Sequence, residues 1–149
     1  MTVPIKNASS VMPIPKIFAT IEKTLVSHKA RHITFSYDNE RIAAIEFVLE
    51  INGREYPFRL PARVKAVEKI MYGTDTRFLS KTQKDQAYRV AWANIRDWVS
   101  AQCALIDTQM VRPEEIFLPY MLDQQGRTFY EVMQQNQYLL PGGSEVEHG

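Results

Sequence analysis

The residues of this chain best able to do chemistry together lie in its middle, where Arg59, Arg63, Lys65, Tyr72, Arg77, Phe78, Lys81, Lys84, Arg89 and Arg96 interleave cations with aromatic rings. Arginine and lysine pair with phosphates, and exposed rings give bases a platform on which to stack. The two together are typical of surfaces for single-stranded nucleic acid. Tyr56 and Tyr88 belong to the same run but are predicted to point inward, which leaves Tyr72 and Phe78 to stack. The net charge of +1 hides an asymmetry: from Arg59 to Arg96 nine basic residues stand against three acidic ones, and from Ala101 onward two stand against seven. A local balance of +6 followed by one of −5 suits a polyanion-binding surface, although solvated helix faces also carry charge in this way. Glu145 and Glu147, near the end of the chain, are expected to compete with DNA for the basic surface.

Other constellations point to no reaction. His28 and His32, four apart, would share a helix face suited to zinc, but a helix end is expected between them and no third ligand is close in sequence. Cys103 falls on an apolar stripe and reads as a small buried hydrophobe rather than a nucleophile. No G-x-S-x-G elbow, S-x-x-K, Walker A loop or G-x-G-x-x-G occurs. Glu46 and Glu50 share the outer face of an expected strand, and Glu114 and Glu115 complement the dipole at an expected helix start. The expectation is therefore a chain without catalytic residues, metal ligands or cofactor.

The elements that must position the basic residues follow from periodicity. Over 87–110, Tyr88, Trp92, Ile95, Val99, Cys103, Ile106 and Met110 form one stripe of a long helix. Ala87, Ala91, Trp98, Ala101 and Leu105 form a second ridge, so this helix is predicted to be central and nearly enclosed. Before it, 15–29 reads as a short amphipathic helix through Ile17, Phe18, Ile21 and Leu25. Three strands follow. Ile33, Phe35 and Tyr37 point inward on the first; Ala43, Ile45, Phe47, Leu49 and Ile51 on the second; and Tyr56, Phe58 and Leu60 on the third, an edge strand because it contains Pro57. Asn52-Gly53 supplies the positive φ pair of a tight hairpin. A second helix is expected from Pro61 through Met71, with Val64, Val67, Ile70 and Met71 apolar and Arg63, Lys65 and Lys69 exposed. Residues 73–85 read as a mobile or binding loop, and the last helix is expected over 128–138 with Phe129, Val132 and Met133 inward.

The fold expected is α+β: an N-terminal helix, a three-stranded antiparallel meander, then three to four helices including the long one. It forms a single domain over 14–138, preceded by a flexible arm over 1–13 and followed by a disordered tail over 139–149. A chain of this size buries roughly two thirds of its unfolded surface without staples. No apolar run approaches the roughly 20 residues that span a bilayer, so a cytoplasmic protein without membrane contact is expected.

FRLP (58–61), QAYRVAWANIRDWVSAQCALI (86–106) and EIFLPYML (115–122) resemble a family of small, uncharacterised proteins encoded by bacteriophages and prophages, over roughly residues 14–133. Similar proteins tend to occur among phage genes for DNA replication and recombination. The resemblance thus implies a non-enzymatic accessory protein that binds DNA, single-stranded more than duplex, and by association only. It carries no catalytic residue across. An alternative is a protein-interaction module, such as an inhibitor of a host enzyme or defence system, or a homo-oligomer, using Ile116, Phe117, Leu118 and Tyr120 as its contact.

Overall fold

The computed structural model describes residues 5–73 and 75–142. Its first helix, α1 (Ile14–Ser27), begins on Pro13 and Pro15, whose missing N–H groups would have had no helical partner there. The helix buries Ile17, Phe18, Ile21 and Leu25. It ends in a Schellman turn: Lys29 adopts φ 71°, and the amides of Lys29 and Ala30 reach back to the carbonyls of Val26 and Leu25 at 3.0 Å. That left-handed residue turns the chain into β1 (Arg31–Asp38), which pairs antiparallel with β2 (Arg41–Ile51), itself paired with β3 (Arg54–Pro61). The expected hairpin is present, with Asn52 at φ 53° and Gly53 at φ 82° closing the pair Ile51 and Arg54.

Two inward assignments fail at one irregularity. Ser36 pairs with Ala44 but Tyr37 pairs with Ile42, so β2 carries an extra residue opposite the end of β1. This bulge shifts the alternation: Ala44 rather than Ala43 is buried, and Tyr37 points to solvent. Pro57 does lie on an edge strand. That edge is covered where Leu122 donates its amide to the Pro57 carbonyl at 2.9 Å and Met121 bridges to Phe58.

The helices that follow are α2 (Val64–Tyr72), a 3-10 turn (Thr76–Phe78), α3 (Lys81–Asp107), α4 (Pro113–Phe117) with a 3-10 turn (Leu118–Tyr120), and α5 (Phe129–Gln135). The architecture is the expected α+β one. Helix α2 starts three residues later than expected because Pro61 is still paired in β3. Its apolar phase also differs: Ile70 is 72% exposed, and Glu68 is buried in its place. Helix α3 starts six residues earlier than expected, at a reciprocal cap in which Gln83 donates to the Ser80 hydroxyl at 3.1 Å and its side chain accepts from the Ser80 amide at 2.9 Å. Residues 81–85 of the expected loop therefore belong to α3, and Thr76–Phe78 form a 3-10 turn.

The core lies between α1, α3 and the inner face of the sheet. Trp92 is wholly buried, touches Phe18 at a ring distance of 4.8 Å, and donates its indole N–H to the Ile42 carbonyl at 3.2 Å. Phe47, Phe58 and Phe117 form a second aromatic cluster, extended by Trp98 against Phe117 and Tyr120. The stripe of α3 is buried at Tyr88, Trp92, Val99 and Cys103, but Ala101 and Met110 are exposed, so burial is densest over 87–93 and one-sided after it. On α5, Phe129 is partly exposed rather than buried.

The expectation of a flexible arm is corrected over the residues described. Asn7 donates to Asn94 and Asp97 at 2.8 and 2.9 Å, and Gln86 donates to the carbonyls of Ala8 and Ser10 at 3.0 Å. Lys6 pairs with Asp97 at 3.0 Å. Residues 5–12 thus lie along α3, held by polar side chains that satisfy their backbone. Residues 1–4 of the arm and 143–149 of the tail, with Glu145 and Glu147, lie outside the described residues.

Candidate nucleic-acid interface

The ten candidate residues separate into two groups. Arg89 and Arg96, expected on a binding line along the long helix, hold the arm instead. Arg89 donates to the Met12 carbonyl at 3.0 Å; Arg96 pairs with Asp97 at 3.0 Å and reaches the Met12 sulfur at 3.1 Å. Burial by itself would raise the pKa of Asp97, but hydrogen bonds from Asn7, Lys6 and Arg96 outweigh it and hold the carboxyl at about 2. Arg59 is likewise occupied, donating to Glu46 at 2.8 Å and to the Gly126 carbonyl at 2.9 Å.

Arg63, Lys65, Arg77 and Lys84 converge instead on an open cavity of about 990 Å³. Its walls come from the β1–β2 turn, the β3–α2 connection, α2, the 3-10 turn at Thr76–Phe78 and the first turns of α3. Arg41, absent from the candidates because its turn reads only as polar, also lines it. That guanidinium pairs with Asp85 and lies 4.9 Å from the centre of the Tyr88 ring. Tyr88 itself is buried, and its hydroxyl accepts from the Ile42 amide at 3.0 Å.

Arg77 is tied to Asp75 at 3.0 Å, and its side-chain hydrogen bond holds the Asp75 carboxyl below the usual carboxylate range. Lys65, Lys81, Lys84 and Arg63 have no ion-pair partner among the described residues, although Arg63 stands 6.0 Å from the Tyr130 ring. Lys81 and Lys84 occupy the start of α3, where the helix dipole is already positive and the first turn carries no acidic residue. Phe78, on the same short turn as Arg77, is 80% exposed with the Arg77 guanidinium 5.5 Å from its ring centre. Tyr72 is half-buried at the end of α2 and does not line the cavity. The acidic side chains on the wall are Asp38, Glu40 and Glu68.

The remaining candidates take up structural positions. His28 caps α1 and bonds Asp107 at 2.8 Å through Nε2 and the Thr24 carbonyl at 2.7 Å through Nδ1, while His32 is exposed on β1. Among the described residues no group of three His, Cys, Asp or Glu side chains could hold a metal. Cys103 is buried, and burial pushes its thiol up to about 11. The apolar segment offered as the alternative partner contact folds inward: Phe117 is buried, Ile116 and Tyr120 are half-buried, and of its four contact residues Leu118 alone is exposed. It forms the lid over Trp98. No described helix is long and apolar enough to cross a membrane. Comparison with protein-family models, curated proteins and solved structures finds no match to this chain.

Proposed function

We propose that this protein binds single-stranded DNA through the cavity rim, as a non-enzymatic accessory protein of phage replication or recombination acting in the bacterial cytoplasm. The observation that carries the reading is the convergence of Arg63, Lys65 and Lys84 on one cavity without carboxylate partners among the described residues, beside the exposed ring of Phe78. Cations already paired inside the fold contribute little to counterion release, whereas unpaired ones at a concave rim are free to neutralise phosphates. Phe78 offers a face for a base, which requires that base to be unstacked and so favours a single strand over a duplex. The phage context rests on the sequence resemblance.

Fluorescence anisotropy of labelled single-stranded and duplex oligonucleotides, repeated across salt concentrations, tests this. The single strand is expected to bind more tightly. The triple variant Arg63→Ala, Lys65→Ala, Lys84→Ala is expected to flatten the dependence of log affinity on log salt by about 2 units. Absence of binding at low salt would overturn the proposal.

A further inference from the structure

Helix α2 puts an acidic side chain where a core residue would serve the fold better. Glu68 is 7% exposed, lines the basic cavity, and has neither a hydrogen bond nor an ion pair among the described residues. Glutamate is almost never buried to this degree without a partner, because removing a carboxylate from water is costly. No described side-chain oxygen or nitrogen is both sealed from solvent and unbonded, so the Glu68 carboxylate keeps its small exposure, on the wall of the cavity. The cations of the same wall, Arg41, Arg63, Lys65, Arg77 and Lys84, lie beyond ion-pair distance from it. A nucleotide can meet both, with a phosphate for the rim cations and, on the base, paired N–H donors for the carboxylate.

We infer that the cavity seats one guanine nucleotide of the bound strand, with the Watson–Crick edge of the base on Glu68 and its phosphate on the surrounding cations. This rests on the proposed single-strand binding and supplies its base preference. Guanine alone among the DNA bases presents two adjacent donors, N1–H and the N2 amino group, that match the two oxygens of a carboxylate. Cytosine and adenine set one amino donor beside a ring-nitrogen acceptor, and thymine sets one N–H between two carbonyls, so each opposes an acceptor to a carboxylate oxygen. Only an unpaired strand leaves this edge open. A volume of about 990 Å³ accommodates a nucleotide with its phosphate.

The test compares three labelled oligonucleotides of equal length on the wild-type protein: all thymine, all thymine with one central guanine, and the same with inosine, which keeps N1–H and lacks the amino group. The guanine strand is expected to bind at least about fivefold more tightly than the all-thymine strand, with inosine between them and the salt slope unchanged. Glu68→Gln is expected to abolish the guanine-over-thymine ratio and, by removing a negative charge from the cavity wall, to raise affinity for the all-thymine strand. Steep salt dependence with no guanine preference, or a preference that survives in E68Q, overturns the inference and leaves single-strand binding standing. Should E68Q fail to fold, the inosine comparison on the wild type decides. If no oligonucleotide binds, the surface reading fails. Thermal melts of the wild type with dGMP or dTMP then judge the cavity alone: stabilisation by dGMP only supports it, and an equal or absent response overturns it.

Discussion

Two basic regions that look alike in sequence have different fates in the fold. Along the middle of α3, Arg89 and Arg96 turn toward residues 5–12 and satisfy the Met12 carbonyl, the Met12 sulfur and Asp97. Around the cavity, Arg63, Lys65 and Lys84 are left without carboxylates among the described residues, although Asp75 and Asp85 are near enough to pair with Arg77 and Arg41. The first region spends its charge on holding a chain segment in place; the second leaves it available to an outside anion. A count of +6 therefore overstates the binding charge, since a guanidinium that satisfies a backbone carbonyl is a structural group whatever its formal charge.

The contrast can be broken most sharply at Phe78. Phe78→Ala is expected to weaken single-strand binding by about tenfold or more, the worth of one base–aromatic stack, with the melting temperature unchanged because the ring buries almost nothing. An unchanged affinity would remove the ring from the site. Asp97→Ala should do the reverse. Loss of the contacts from Asn7, Lys6 and Arg96 is expected to cost about 1–2 kcal/mol, roughly 2–4 °C in Tm per kcal/mol, and to leave DNA affinity unaltered in the same titration.

A smaller effect follows from the pKa of Asp97. Its folded value of about 2 lies below that of the unfolded chain, so the stabilisation is complete above about pH 4 and is lost as pH falls through 2. After solvent screening it amounts to about 1 kcal/mol, readable as a steeper acid limb in wild type than in the Asp97→Ala variant. The smallest effect belongs to His28. Burial lowers its pKa, but the Thr24 carbonyl and Asp107 more than compensate, and the net shift is upward. Its contribution is full below about pH 6.5 and is lost as pH rises through the folded value. Asp107→Asn should remove that alkaline loss in pH-dependent melts.

Much of the frame was legible because it is local. The Asn52-Gly53 turn, the stripe through Tyr88, Trp92 and Val99, the proline start of α1 and the edge position of Pro57 each follow from a few neighbouring residues. The early start of α3 was also written locally, in Ser80 and Gln83, but is outweighed there by the polar run around it. What periodicity does not carry are polar side chains meeting distant backbone. Arg89 reads as a cation free to bind and Gln86 gives no signal, because their partners, Ala8, Ser10 and Met12, precede the first helix. The bulge at Ala43, the burial of Glu68 and the approach of Arg41 to the start of α3 depend on how strands and helices meet in three dimensions. For the site, the chain displayed which cations exist, and the fold determined which of them remain unspent.

The most direct measurement sets two double variants side by side in the salt titration, Lys65→Ala with Lys84→Ala against Arg89→Ala with Arg96→Ala. The account expects the first pair to flatten the slope for single-stranded DNA by about 1.4 units with Tm preserved. The second pair should keep the wild-type slope and melt at a lower temperature. Equal flattening by both pairs, or flattening by the α3 pair alone, would contradict the division between a cavity that binds and a helix that holds the arm.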